Sequence, residues 1–388
     1  MKTFIFLSLF IFSAFAETTF ENLYPKYVGV CLASQVKRVD LDPEMAWGHI
    51  ALMIKGACVD SEAKYPQLKS CDNTHVLISV NPYIKNVNWV VTEKFDTIFN
   101  GGLSRDAELT QETFSSAFEK MKDIPPFKGV EFHKDVFPNS ANPVFDFAKK
   151  VLGYDSAINF GRDTWCAKIP VNEAAVKKVV AYLNERNKDY AEKKKDFHYD
   201  FFNDNCAHLV HNSLAQIGFE KMIEVRVPFY RRLFNLSIPG NEFLKSVDMT
   251  SGRNVKLSEP DKIFEDIRLR TTFLELDWLP IQPVIEIEKS AVFKTNKVFG
   301  GDLNINVIDW PWNWFSTRKR FDSYLNAYVD YNLPKSITSA KSEYDLALNI
   351  VNEKLSEIKD ANNERAVFLT KYKDYLFRQS QSVNSAIQ

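Results

Sequence analysis

Beyond residues 1–16, this chain has no apolar run long enough to cross a bilayer, which takes roughly 20 residues as a helix. It has no internal repeat and no low-complexity tract, so a repeat architecture is excluded. It also lacks an excess of either charge. Lys and Arg number 49, Asp and Glu 50, and the formal net charge is −1. No strong electrostatic pull towards nucleic acid follows from that balance. Cysteines are few and odd in number, five in 388 residues.

Aromatic residues are abundant, with 31 phenylalanines, which fits a well-filled globular interior rather than disorder. At the N-terminus, Lys2 precedes an apolar run from Phe4 to Phe15, and Ala14-Phe15-Ala16 follows the pattern of a cleavage site. Residues 1–16 therefore read as a secretory signal peptide. Loss of Lys2 takes the formal charge from −1 to −1 − 1, about −2. No cysteine follows the cleavage site, so no N-terminal lipid anchor is expected. The mature protein is expected in the periplasm of a bacterium, or secreted. Its length suits about two domains.

An oxidising compartment makes the cysteines a disulfide question. Cys58 and Cys71 flank a polar stretch between two strand-like runs and could staple a hairpin. Cys31 and Cys166 each lie in strand-like sequence and could form a second bridge, although sequence does not fix connectivity. Cys206 is then the odd thiol, either a buried small hydrophobe or a residue kept for its chemistry.

The periodicity predicts an α+β arrangement. Strands are expected at 27–32, 50–54, 75–80 and 165–169. Helices are expected at about 104–123 and 141–152, then from Asn172 through Val176, Val179, Val180 and Leu183 to the charged run 192–196. His198 to Phe202 resembles an aromatic strand. A helix from about Asn205 to Gln216 closes at Gly218. Residues 258–279 look helical, an extended stretch runs to about 302, and 340–378 read as one or two charged helices. A boundary is expected near 240, separating a domain at 17–240 from a largely helical one at 241–388.

Two short segments carry the chemistry: Trp47-Gly48-His49 and Asn203-Asp204-Asn205-Cys206. A cysteine attacks as thiolate, and an ordinary thiol is mostly protonated near neutral pH. A helix N-terminus offers unpaired N–H groups and a positive dipole end, both favouring the anion. Asp204 or Asn205 can cap that helix and set Cys206 in its first turn. With an adjacent histidine, such thiols fall to pKa values of roughly 3.5–7.5. The same N–H groups can stabilise an oxyanion. His49 would act as base and then as acid, with Gly48 leaving room for close approach.

The other histidines fit less well. His208 lies about 200° round the helix from Cys206 and His211 is also poorly aligned, so no metal site is expected. His133 and His198 read as surface or satisfied core residues. His75 or Asn81 could orient His49 from the neighbouring strand.

Ala46-Trp47-Gly48-His49-Ile50-Ala51-Leu52, Phe99-Asn100-Gly101-Gly102, Arg162-Asp163-Thr164-Trp165 and Tyr199-Asp200-Phe201-Phe202-Asn203-Asp204-Asn205-Cys206 resemble, in this order, the motifs of the Lnb N-terminal periplasmic domain family. That family is similar to the circularly permuted papain-like NlpC/P60 group, which includes lecithin:retinol acyltransferase. The resemblance covers roughly residues 25–220. It implies an antiparallel sheet with packed helices, Cys206 as nucleophile and His49 as its partner, with no cofactor. Trp47 stands where the family usually has Phe or Tyr. The insert between Cys58 and Cys71 lengthens the first hairpin, so the third catalytic position does not carry over.

The resemblance implies an acyltransferase or acyl hydrolase working through a thioester, on lipid or lipoprotein. The alternatives are a peptidoglycan amidase or endopeptidase acting on a cell-wall peptide, and a non-catalytic binding protein that kept the fold. Trp310, Trp312 and Trp314, followed by Arg318-Lys319-Arg320, suit a membrane interface. A tryptophan-rich packing patch between the domains is the alternative, and the one the sequence favours slightly.

Overall fold

The computed structural model describes residues 24–34, 48–80, 82–93, 164–192, 195–219, 221–224, 237–250, 256–274, 286–289, 307–309, 313–316, 318–332 and 337–387, with isolated positions at 108–133 and 305. The fold is mixed α+β. Strands β1 (Tyr27–Ala33), β2 (His49–Val59), β3 (Leu68–Ser79), β4 (Val90–Thr92), β5 (Thr164–Pro170) and β6 (Glu286–Lys289) form one sheet in the order β4-β3-β2-β1-β5-β6. Every pairing in it is antiparallel.

Alternation along the central strands sets two faces. Val28, Val30 and Leu32 of β1 pair with Ile54, Leu52 and Ile50 of β2, and with Ile169, Ala167 and Trp165 of β5. All nine belong to the main apolar cluster. Partners in an antiparallel ladder point to the same side, so this is one continuous face. The opposite face carries Cys31, Ala33, His49, Ala51, Met53 and Cys166, also buried. Cys31 sits directly opposite Cys166, and the two form a disulfide with Cα atoms 4.1 Å apart.

Helix α1 (Glu173–Ala191) starts where Asn172 accepts the Ala175 N–H at 2.8 Å. Val176, Val179, Val180 and Leu183 then recur at helical spacing and join the same cluster. Two amides on α1 lock it to distant backbone. Asn184 exchanges hydrogen bonds with the N–H and carbonyl of Leu68. Asn187, fully buried, accepts from the Asn88 and Trp89 N–H groups and donates to the Pro66 and Trp89 carbonyls. Helix α2 (Cys206–Ala215) follows, and Gly218 ends its last turn at φ 82°.

Two later elements are built onto the sheet. Helix α3 (Pro239–Thr250) rests on β1, β2 and β5, and β6 extends the sheet past β5. Within the helical run expected at 258–279, residues 260–274 form α4 (Pro260–Glu265) and α5 (Ile267–Leu274), separated where Asp266 is extended at φ −93° and ψ 107°, and 275–279 lie outside the described residues. Strands β7 (Val307–Asp309) and β8 (Asn313–Ser316) pair with each other. Helix α6 (Arg318–Asn332) brings Phe321 against Trp165 and Phe243. The last two helices, α7 (Ile337–Glu357) and α8 (Glu364–Ile387), pack together. Phe368, Tyr372 and Tyr375 of α8 form an aromatic row with Phe264 and Phe273. Among the described residues, no helix is long and apolar enough to cross a membrane.

Candidate active site

Cys206 is the first residue of α2, and Asn205 is its cap. The Asn205 backbone is extended, and its Oδ1 accepts the His208 N–H at 3.0 Å. Its Nδ2 donates to the carbonyl of Phe201 and, at 3.5 Å, to that of Ser237. The cap therefore ties the helix start both to the loop before it and to the segment leading into α3.

That loop is not the strand expected at 198–202. Asp200 and Asp204 exchange backbone hydrogen bonds at 3.1 and 2.9 Å, and the Asp200 carboxylate accepts the Phe202 N–H. An aspartate that can satisfy nearby backbone N–H groups favours such a turn over a ladder. The tightened loop leaves the Tyr199 hydroxyl 3.7 Å from the Cys206 sulfur.

Asp204 is the anchor. Its two carboxylate oxygens lie 3.0 and 2.8 Å from Nη2 of Arg186 on α1, and Oδ2 also accepts from the Tyr190 hydroxyl at 3.0 Å. Asn88 donates to Oδ1 at 3.3 Å. The side chains are 14% and 4% exposed for Arg186 and Asp204. A pair this dry fixes the relation between α1 and the start of α2, since neither charge has water as an alternative.

On the other side of α2, His211 uses both ring nitrogens. Nδ1 meets Glu242 of α3 at 2.9 Å and Nε2 meets the Lys221 carbonyl at 2.9 Å. A carbonyl and a carboxylate both accept, so the imidazolium with two N–H groups satisfies both. Burial opposes that charge, but the Glu242 hydrogen bond and charge outweigh it and raise the His211 pKa. Burial likewise opposes the Glu242 carboxylate, and His211 outweighs it and lowers the Glu242 pKa. His211 is thereby committed to joining α2 to α3.

His49 opens β2, after Gly48 turns the chain at φ 77°, a backbone state that suits glycine. Its Nε2 lies 2.9 Å from the Ser79 hydroxyl on β3. One step past the Leu52–Ile78 pair, Ser79 falls opposite Ala51 and so on the His49 face. His75 does not fill this role. It pairs with Lys55, six residues along β2 from His49, roughly 20 Å at the rise of a strand. The hairpin register decides this, and β3 begins seven residues before His75, at Leu68. Ser79 stood in the strand legible from sequence, and counting back from a fixed register would have found it.

His49 is 6% exposed and Cys206 2%. Cys206 belongs to the main apolar cluster, which takes in Ile50, Leu52 and Ile54 and also Val90, the partner of Ser79. The cysteines expected to staple the first hairpin, Cys58 and Cys71, are both thiols, partly exposed. Burial, a hydrogen bond and charge from Cys71, and the charge of Glu93 push the Cys58 thiol up to about 12.

No family model, characterised protein or solved structure matches this chain. Several expected features lie outside the described residues: the signal peptide at 1–16, Trp47, Asn81, the glycines at 101–102, Arg162-Asp163, most of the helices at 104–123 and 141–152, and Trp310 and Trp312. Trp314 lies on β8, where only the backbone is described. Sequence reasoning gave no role to Ser79, Arg186, Tyr199 or Glu242, whose roles rest on partners that the fold or the turn before Cys206 brings to them.

Proposed function

We propose that this chain is an exported cysteine-dependent acyl-transfer enzyme with Cys206 as nucleophile and His49 as its proton acceptor. The observation that carries the proposal is the placement of Cys206 at the first position of a side-chain-capped helix. There the free N–H groups and dipole favour a thiolate and then an oxyanion. In the tautomer whose Nε2–H donates to the Ser79 hydroxyl, Nδ1 carries the lone pair that takes the thiol proton. The thiol proton passes to that nitrogen and the sulfur attacks an acyl carbonyl. The C–S bond forms, the bond from the carbonyl carbon to the leaving group breaks as that group takes the proton back, and a thioester is left for water or an amine to open. The Cys31–Cys166 disulfide supports an oxidising compartment. By the resemblance, the substrate is a lipid or lipoprotein acyl group. A cell-wall peptide is the competing substrate for the same chemistry.

A second reading has its own observation. Cys206 is 2% exposed and belongs to the main apolar cluster, and the dyad works only where its thiol meets His49. A protein in which it never does would hold Cys206 as a core residue and act by binding.

Intact-mass analysis after incubation with a diacylated lipopeptide or a purified muropeptide separates these readings, with Cys206→Ala and His49→Ala alongside. The expected result is a hydroxylamine-labile acyl adduct on Cys206, absent in both variants. Absence of any adduct, with Cys206 inert to small thiol reagents in the folded protein, removes the enzymatic reading.

A further inference from the structure

We propose that Tyr199 sets the acidity of Cys206, its phenol donating a hydrogen bond to the sulfur once the thiol has ionised. The inference rests on the thiol-enzyme reading and goes beyond it, because neither the Cys206–His49 pair nor the resemblance assigns Tyr199 a role.

The geometry is local and fixed from three sides. The hydroxyl lies 3.7 Å from Sγ, within reach of an O–H···S hydrogen bond. Tyr199 packs half-buried against the apolar cluster, so its ring is held. The residues between it and Cys206 are tied by the Asp200–Asp204 backbone pair, by the Phe202 N–H on Asp200, and by the Asn205 cap. Asp204 is in turn clamped by Arg186 and Tyr190. The backbone that carries the phenol and the sulfur is thus fixed around a buried ion pair.

The direction of the hydrogen bond follows from the charge state. Between two neutral groups either O–H or S–H can donate. A thiolate has no proton, so the phenol alone can donate, and donors to ionised acceptors make the stronger bond. The interaction is thus worth more in the thiolate than in the thiol, and a bond that favours the charged form lowers its pKa. At the helix N-terminus, Tyr199 supplies a side-chain donor in addition to the backbone N–H groups. Tyr199 is on this view a positioning and activating residue for the nucleophile.

The test needs no substrate. The ultraviolet absorbance of the Cys206 thiolate is titrated as the difference between the protein and its Cys206→Ala variant, which removes the contributions of Cys58 and Cys71. Tyr199→Phe keeps the ring and deletes the donor. Its Cys206 midpoint is expected about one to two pH units higher, the range set by one charge-assisted hydrogen bond. Replacing Tyr199 by a ring-fluorinated tyrosine, a stronger donor of the same shape, should move the midpoint the other way. Thermal unfolding confirms that both proteins are folded. Coincident midpoints in all three overturn the role of Tyr199 while leaving the dyad standing. If Cys206 in the unmodified protein ionises no more readily than an ordinary thiol, the enzymatic reading fails, and this inference fails with it.

Discussion

Asp204→Asn is the most informative single perturbation. The carboxylate is 4% exposed and lies 2.8 Å from the Arg186 guanidinium, itself 14% exposed. At that distance, two unit charges attract by about 6 kcal/mol at an effective dielectric of about 20, but desolvation cancels much of this in the intact pair. The substitution keeps the shape, removes the charge, and turns one acceptor oxygen into an N–H donor facing the donors of Arg186. Arg186 is left buried without a counter-charge, a situation that costs about 3–5 kcal/mol. Urea unfolding should show a drop of that size. Because the same carboxylate fixes the loop before Cys206, the reactivity of the thiol should change in parallel. Arg186→Met combined with Asp204→Asn should recover most of the loss, since an uncharged pair leaves nothing stranded. If Asp204→Asn costs under about 1 kcal/mol, the pair is hydrated in solution and its role as an anchor is wrong.

The other predictions concern the histidines and cysteines. Ser79→Ala removes the partner of His49 Nε2 and should slow Cys206 acylation about two- to tenfold, the worth of one ordinary hydrogen bond. An unchanged rate would mean that Ser79 does not orient the base. For His211, the folded pKa lies above its ordinary 6.5, so its contribution is complete below that value and lost as pH rises through the folded one. Glu242 lies below its ordinary 4.5, so its contribution is complete above 4.5 and lost as pH falls through the lowered value. The stability gap between the protein and Glu242→Gln should therefore be widest between pH 4.5 and 6.5, and a flat gap across that range contradicts the ion pair. Peptide mapping without reduction should recover Cys31 joined to Cys166. In the same material Cys58, which holds its proton to about pH 12, should alkylate more slowly at neutral pH than a free thiol. A Cys58–Cys166 or Cys31–Cys71 bridge would contradict the sheet register.

What the sequence determined by itself was local. Asn172 and Asn205 cap the helices they precede, Gly218 ends α2, and the β1, β2 and β5 strands stand close to their apolar runs. Cap, periodicity and turn are settled by residues within about four positions of one another, and that span also sets Cys206 at a helix N-terminus. Tertiary structure decided everything that needed a partner farther away. Register chose Cys166 for Cys31 across 135 residues and Ser79 rather than His75 for His49. Asp204 read as a cap candidate and became an ion-pair anchor only once α1 brought Arg186 beside it. A one-residue shift in pairing would exchange the two faces of a strand. The identity of the catalytic candidates was thus written in the chain, while their company was fixed by how the strands and helices meet.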